Sequence, residues 1–565
     1  MRTRRLATRW ACLALWVGAV LVAGGPALGA EPEGMVLKWP DRRPIGQLFV
    51  SQQANVTKDN PDGYLSKDVN TRKPEGKAAF RKRLLESADK WIRVMKDTGG
   101  QGMIVWDLEG FQQASMVYVG DPRVLPEYAP AMSEVADEFF RRFLDAGLRT
   151  GLTIRPNKIF LIPPEGVAKW GKWGYLLYEQ GTDDVVKELS ERIAYAKKRW
   201  GCTLFYMDTN GYDEVVDGKK KHVRLPTAMM KKLNELHPEV LIIPEHPNPG
   251  YHAYTGQYRE VRGGWTGTPA AEREKYPGAF SVVQVAGMSQ GDLETRWDPV
   301  AESVMHGDVL FFFGWWPSSL NDSVRYIYRQ AEYMKHKAPA AGDPEALVKL
   351  LKDNSPAVRF GAARALGEAN AGPATAALIR TVRGDQDWVV RKAAVVGLGK
   401  QRAAAAVAPL VEVVKSDRGS LRFFALLSLA NIGQPAVALL NELAASEDPG
   451  FRFAAAYALG RLEHGDAARP LLALANDKAY DVRQQAIEGL GRRKAPQAVD
   501  PLLKLLETEE GWPMLIAIIN ALGEIGDPKA AGPVRKFLTF ESKPNWAQQR
   551  VRSAAHRALA KIEKR

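Results

Sequence analysis

The last part of the chain repeats itself, and that repeat restricts the possible folds more than any other stretch. Leucine followed by glycine or alanine closes an Ala-rich segment at Leu366-Gly367, Leu398-Gly399, Leu429-Ala430, Leu459-Gly460, Leu490-Gly491, Leu522-Gly523 and Leu559-Ala560. The intervals are 32, 31, 30, 31, 32 and 37 residues. An arginine stands seven positions before most of these leucines (Arg359, Arg391, Arg422, Arg452, Arg483, Arg552), and Leu515 takes its place in the sixth unit. A period near 31 residues means one supersecondary unit per repeat. No such unit can bury its apolar face alone, so the units must stack into a solenoid. The recurring arginine is expected to brace the neighbouring repeat.

Before the repeats the chain has a different grammar. Apolar runs that read as strands occur at 46–52, 102–107, 149–155, 202–208, 240–245, 279–285 and 308–313, separated by helix-period stretches such as 78–96, 133–146 and 183–199. A sixth strand, poorly patterned, is expected between Tyr251 and Trp265. Repeated strand-then-helix order implies parallel strands with crossover helices, and eight of them suit a TIM-type (β/α)8 barrel. An open doubly wound sheet is the alternative. The fold class is therefore α/β followed by all-α: a barrel over residues 31–338 and a solenoid of about seven repeats over 339–565. Units such as Asp387-Trp-Val-Val-Arg-Lys-Ala-Ala-Val-Val-Gly-Leu-Gly399 resemble HEAT repeats of the short phycobilisome-lyase type. That resemblance implies a fold that binds or braces an unidentified protein partner.

Residues 1–30 look like a secretory signal peptide, with Arg2, Arg4, Arg5 and Arg9 ahead of the apolar run 11–23 and small residues at Ala27-Leu28-Gly29-Ala30. A secreted or periplasmic location is expected, with no membrane span after cleavage, because the apolar run is short of the roughly 20 residues a span needs. Loss of the leader removes Cys12, so Cys202 has no partner for an intramolecular disulfide. The formal charge of +13 fits weak attraction to acidic polymers. No Lys/Arg block interleaved with aromatics points to nucleic acid, and no Gly-rich loop follows a strand to hold phosphate.

Chemistry is expected where the strands end, because barrel active sites sit at that face. Asp107 and Glu109 follow the second strand, Arg155 and Asn157 the third, Tyr206, Asp208 and Asn210 the fourth, and Glu245 and His246 the fifth. Adjacent strands lie about 4.8 Å apart, so Asp208 and Glu245 can reach the separation of about 5–5.5 Å used by retaining glycosidases. Asp208 is the expected nucleophile, kept ionised by Asn210. Glu245, behind an apolar run, is the expected general acid with its pKa raised by burial. Phe205-Tyr-Met-Asp208 and Ile243-Pro-Glu245 resemble the retaining α-glycosidase barrels, including the α-amylase superfamily and endo-α-N-acetylgalactosaminidases. That resemblance implies a glycoside hydrolase with a third acid, for which Asp292 and Asp308 are candidates. Trp106, Tyr251, Trp265, Trp315 and Trp316 are expected to stack on a carbohydrate substrate. Asp107, Glu109, Asp208, Glu245 and His246 could instead hold a divalent ion, but no HExxH, H-x-H or CxxC pattern supports a metal, and no cofactor is called for. A non-catalytic carbohydrate- or protein-binding scaffold is the alternative function.

Overall fold

A computed structural model of the protein describes residues 36–564 apart from short stretches, the longest being 111–119, 161–168, 286–292 and 313–320. The leader-like residues 1–30 lie outside the described residues. The strands are β1 (Ile45–Phe49), β2 (Gly102–Trp106), β3 (Arg149–Ile154), β4 (Asn157–Phe160), β5 (Lys169–Trp170), β6 (Trp173–Leu177), β7 (Cys202–Met207), β8 (Gly211–Val216), β9 (Lys219–Arg224), β10 (Leu241–Pro244), β11 (Gln257–Glu260), β12 (Ser281–Gln284) and β13 (Val309–Phe312). Eight of these pair in the order β10-β7-β3-β2-β1-β13-β12-β11, every pair parallel. The two ends of that order meet where the Gly256 N–H donates to the Ile242 carbonyl at 3.1 Å. The sheet is thus the expected barrel. β11 is the strand with the poor pattern, and its sequence Gln-Tyr-Arg-Glu alternates buried with half-buried residues. The antiparallel pieces β4-β6-β5 and β8-β9 are insertions after β3 and β7.

Barrel strands are apolar on both faces because helices cover the outside and the strands face one another inside. Ile45, Ile104, Trp106, Leu204, Tyr206 and Ile243 belong to the inner cluster, whereas Leu48, Met103, Phe205 and Ile242 pack outward. The helix Pro74–Thr98 shows how the outer layer forms. Pro74 begins it, Glu75 and Lys96 complement its dipole, and Gly99 ends it in the left-handed region at φ 70°. Phe80, Leu84, Ala88, Trp91 and Met95 recur at helical spacing and are buried. Cys202 is buried at the start of β7, where burial pushes its thiol up to about 12.

The solenoid stacks the helices that end in the repeated leucine pair in one layer: Pro356–Glu368, Trp388–Lys400, Ser420–Ile432, Pro449–Leu459, Tyr480–Arg492, Trp512–Ile525 and Asn545–Ile562, the sixth with Leu515 in place of the arginine. The Leu-Gly pair now has a cause. A Cβ on Gly367 would lie 2.6 Å from the Cα of Gly397, one on Gly460 2.6 Å from that of Gly489, and one on Gly491 2.6 Å from that of Ala521. Small residues let successive helices touch backbone to backbone. The arginines reach the next loop. Arg359 bonds both carboxylate oxygens of Asp385 at 2.8 and 3.0 Å, and Arg452 both of Asp477 at 2.5 and 2.9 Å. Arg391, Arg422 and Arg483 donate to the carbonyls of Asp385, Asp417 and Asp477 in the loops before their own helices, as Arg359 and Arg452 also do to Asp353 and Ser446. Arg422 pairs with Asp448 of the next loop at 3.8 Å.

Barrel and solenoid meet on two barrel helices, Trp297–Met305 and Asn321–Lys335. Trp388 of the solenoid stacks on Tyr326 at 4.2 Å between ring centres and lies 5.4 Å from Trp297, which meets Phe424 edge-on. Lys392, 3% exposed, sits among these rings and donates to Asp298 at 2.6 Å and Gln330 at 3.2 Å. Burial drives its ammonium pKa down, against the pull of Asp298. Tyr333 donates to Asp387 at 2.8 Å, and the hydroxyls of Ser323 and Ser420 lie 2.9 Å apart.

Candidate functional site

Register makes the mouth of the barrel. Met207 pairs with both Ile154 and Pro244, so Asp208 and Glu245, each one residue further on, stand level on neighbouring strands. Their backbones continue the ladder: Asp208 N–H donates to the Ile154 carbonyl and Glu245 N–H to that of Met207, both at 3.0 Å. Thr209 then turns into the left-handed region at φ 48°, a costly conformation for a β-branched residue, and its N–H donates to Glu245 Oε2 at 2.8 Å. The turn therefore aims an amide at the acid of the next strand.

Arg155 pairs with Asp208, Nε to Oδ2 at 2.7 Å, and reaches the Thr209 hydroxyl at 3.1 Å. That hydroxyl donates to Asp208 Oδ1 at 3.1 Å. Glu245 is pushed up to about 8, first by burial, then by the Asp208 charge and by the hydrogen bond that the two carboxyls share. The Glu245 side is thus biased toward its protonated form, beside a guanidinium that pairs with Asp208. His246 Nε2 lies 3.7 Å from Glu245 Oε2. Below, Phe49, Trp106, Tyr206 and Tyr258 floor the mouth, with successive ring centres 5.7, 4.6 and 5.5 Å apart. Tyr258 donates to Gln284. Chemically, the arrangement can give and take a proton above an aromatic floor.

Other expected site residues are placed differently. Asn210 does not touch Asp208; its side chain pairs with the backbone of His246, accepting at 2.6 Å and donating at 3.0 Å. Asn157 accepts from buried Arg192 at 3.2 Å, and Tyr251 is buried and donates to the Leu225 carbonyl at 2.5 Å. Asp107 is sealed in by Ser51 at 2.7 Å and the Val50 N–H at 3.3 Å, with burial raising its pKa well above the ordinary value. Glu109 is buried too and pushed up to about 7, chiefly by that burial. Asp308 precedes β13 and so lies at the opposite end of the barrel, accepting from Ser281, Thr268 and Ser303. It is no third acid for the mouth. Asp292, Trp265, Trp315 and Trp316 fall outside the described residues. The pairing of Arg155 with Asp208 has no mark in the sequence, Tyr258 lies on the poorly patterned β11, and Gln284 ends β12 as a neutral amide with no acid or aromatic to single it out.

Comparison with known proteins bears on the repeats. The family model for HEAT repeats matches residues 344–422, 413–484 and 468–560. The solenoid is a HEAT-repeat domain. The chain is 36% identical over 138 residues to phycocyanobilin lyase subunit alpha of Picosynechococcus sp., covering 22% of this chain and 49% of that protein. It is 35% identical over 101 residues to the bilin biosynthesis protein PecE of Mastigocladus laminosus, covering 17% and 38%. The chain thus spans less than half the length of these relatives. The solved complex of CpcE and CpcF of phycocyanin lyase from Nostoc sp. PCC7120 is similar at 20% identity and a TM-score of 0.26, over 41% of this chain and 98% of that one.

These relatives overturn the expected glycoside hydrolase. They are named as a bilin lyase subunit and a bilin biosynthesis protein, and they bring no carbohydrate substrate with them. The mouth is consistent with that correction. Asp208, the expected nucleophile, is paired with the Arg155 guanidinium at 2.7 Å, which draws on the carboxylate that would have to attack.

Proposed function

We propose that the protein is a HEAT-repeat scaffold of the kind represented by the phycocyanobilin lyase subunits, binding a protein partner along its solenoid. The observation that carries this reading is the run of HEAT repeats over residues 344–560. Stacked repeats offer an extended surface that a compact domain of equal length lacks. In this reading the barrel is carried on the first repeats through the Trp297–Trp388 contact, and Asp208 and Glu245 are its proton-exchanging pair. The leader-like N-terminus suggests that the scaffold works outside the cytoplasm.

Chemical cross-linking of the full chain purified from its own source, followed by mass spectrometry, tests the scaffold. A stoichiometric partner cross-linked to residues 339–565 is expected. A chain that purifies alone at its monomer mass, or a partner linked only to the barrel, would defeat the reading.

A further inference from the structure

The barrel sits on the solenoid through defined repeat positions. Counted from each repeat arginine, Trp388 stands at −3 and Lys392 at +1 of Arg391, while Ser420 stands at −2 and Phe424 at +2 of Arg422. Phe360, at +1 of Arg359, lies 5.9 Å from Tyr333 of the barrel, centre to centre. The four offsets −3, −2, +1 and +2, together with Asp387 at −4, which accepts from Tyr333, thus define the face that carries the barrel.

On the next helix the same offsets from Arg452 are Pro449, Gly450, Phe453 and Ala454. All four line an open groove of about 300 Å³, together with Phe423 from the helix before and Val482 from the helix after. The barrel-bearing face therefore continues beyond the barrel. Its chemistry shifts along the way. At +1 the junction has Phe360 and then Lys392, which reaches Asp298, whereas the groove has Phe423 and Phe453, so both of its +1 positions are aromatic. Phe423 is backed by Tyr457 at 4.7 Å. The rim is fixed in advance: Asp448 caps the Gly450 N–H at 2.8 Å, and the Arg422 guanidinium lies 4.2 Å over the Phe451 ring while it donates to the Asp417 carbonyl.

We propose that this groove docks a helix of a partner protein through an aromatic side chain, seated as Trp297 and Tyr326 of the barrel are seated on the preceding repeats. The proposal rests on the scaffold reading and assigns it a surface. An aromatic anchor in a preformed pocket is the usual centre of such an interface. A second copy of this chain is a poorer fit, because its own Trp297 is already buried and its Tyr326 already stacked on Trp388 of its own solenoid.

The test pans a displayed library of 15-residue helical peptides against the full chain and against its Phe453→Asp variant. Recovered peptides should carry an aromatic residue on one face and bind the full chain saturably. Phe453→Asp should weaken them by more than about tenfold, the loss expected at a hot spot. Ala479→Glu, at the rim of the groove, should do the same if Phe453→Asp disturbs folding, as its melting temperature would show. Glu412→Gln, on an exposed ion pair outside the groove, should change nothing. Peptides without aromatics, binding indifferent to both groove variants, or no saturable binding would overturn the proposal. So would a dimer of the full chain that Phe453→Asp dissociates, since the occupant would then be a second copy. A native partner that still cross-links to residues 339–565 of the Phe453→Asp chain would remove the groove and leave the scaffold standing. Absence of any partner from the wild-type chain would remove both.

Discussion

At the barrel mouth Arg155, Asp208 and Glu245 come from three separate strands and meet only because Met207 is in register with both Ile154 and Pro244. In the solenoid, residues that meet are one repeat apart: Arg359 with Asp385, Arg452 with Asp477, Gly460 with Gly489. One region assembles a single unrepeated site from distant pieces, and the other assembles the same contact many times from near ones. The difference shows where function can be concentrated. The barrel can favour a protonated Glu245 beside Asp208 because its sheet fixes the two acids to one level. The solenoid offers a face whose chemistry varies by repeat while its geometry does not.

That contrast can be broken hardest at the junction. Trp388→Ala should cost about 3–5 kcal/mol, the range for emptying a buried aromatic site, and should split calorimetric unfolding into separate barrel and solenoid transitions. One undivided transition in the variant would mean that the two regions are coupled elsewhere. Gly460→Val tests close packing within the solenoid. Its Cβ would meet the Gly489 backbone, so a loss of about 1–3 kcal/mol in denaturant unfolding is expected. Arg452→Lys removes the two-point bond to Asp477 and should cost about 1 kcal/mol, with the barrel transition unmoved.

The smallest effect belongs to the barrel mouth. Glu245 has a folded-state pKa of about 8 against an ordinary 4.5, so the fold favours its protonated form. Its contribution is fully present below about 4.5 and is lost as pH rises through about 8. Glu245→Gln, which mimics the protonated acid, should match wild type near pH 5 and exceed it by about 1 kcal/mol above pH 8, a figure discounted for partial solvent exposure. Equal pH dependence in the two chains would mean that Glu245 ionises normally.

The repeats and most barrel strands were legible because both announce themselves within short windows: a period of about 31 residues, and apolar runs closed by turn residues. Asp208 and Glu245 were legible for the same reason, as acids directly after such runs. Residues whose meaning depends on what lies across the fold were misread. Asn157 looks like a mouth residue yet serves Arg192, and Tyr251 serves Leu225. Asp308 was misplaced because it precedes its strand, which puts it at the other end of the barrel. Lys392 and Trp388 fit the repeat pattern and carry no local mark of the barrel lying against them.

The amino-acid sequence by itself determined the barrel, the solenoid and the residues that build each, because periodicity, apolar runs and small-residue positions act over one element or one repeat. The tertiary structure alone decided the partners. It paired Arg155 with Asp208, set Glu245 beside them with its raised pKa, buried Lys392 among aromatic rings and left the next repeats' groove open. Register and burial are properties of surfaces brought together from distant parts of the chain, and no local pattern encodes the field or the neighbour that a side chain meets there.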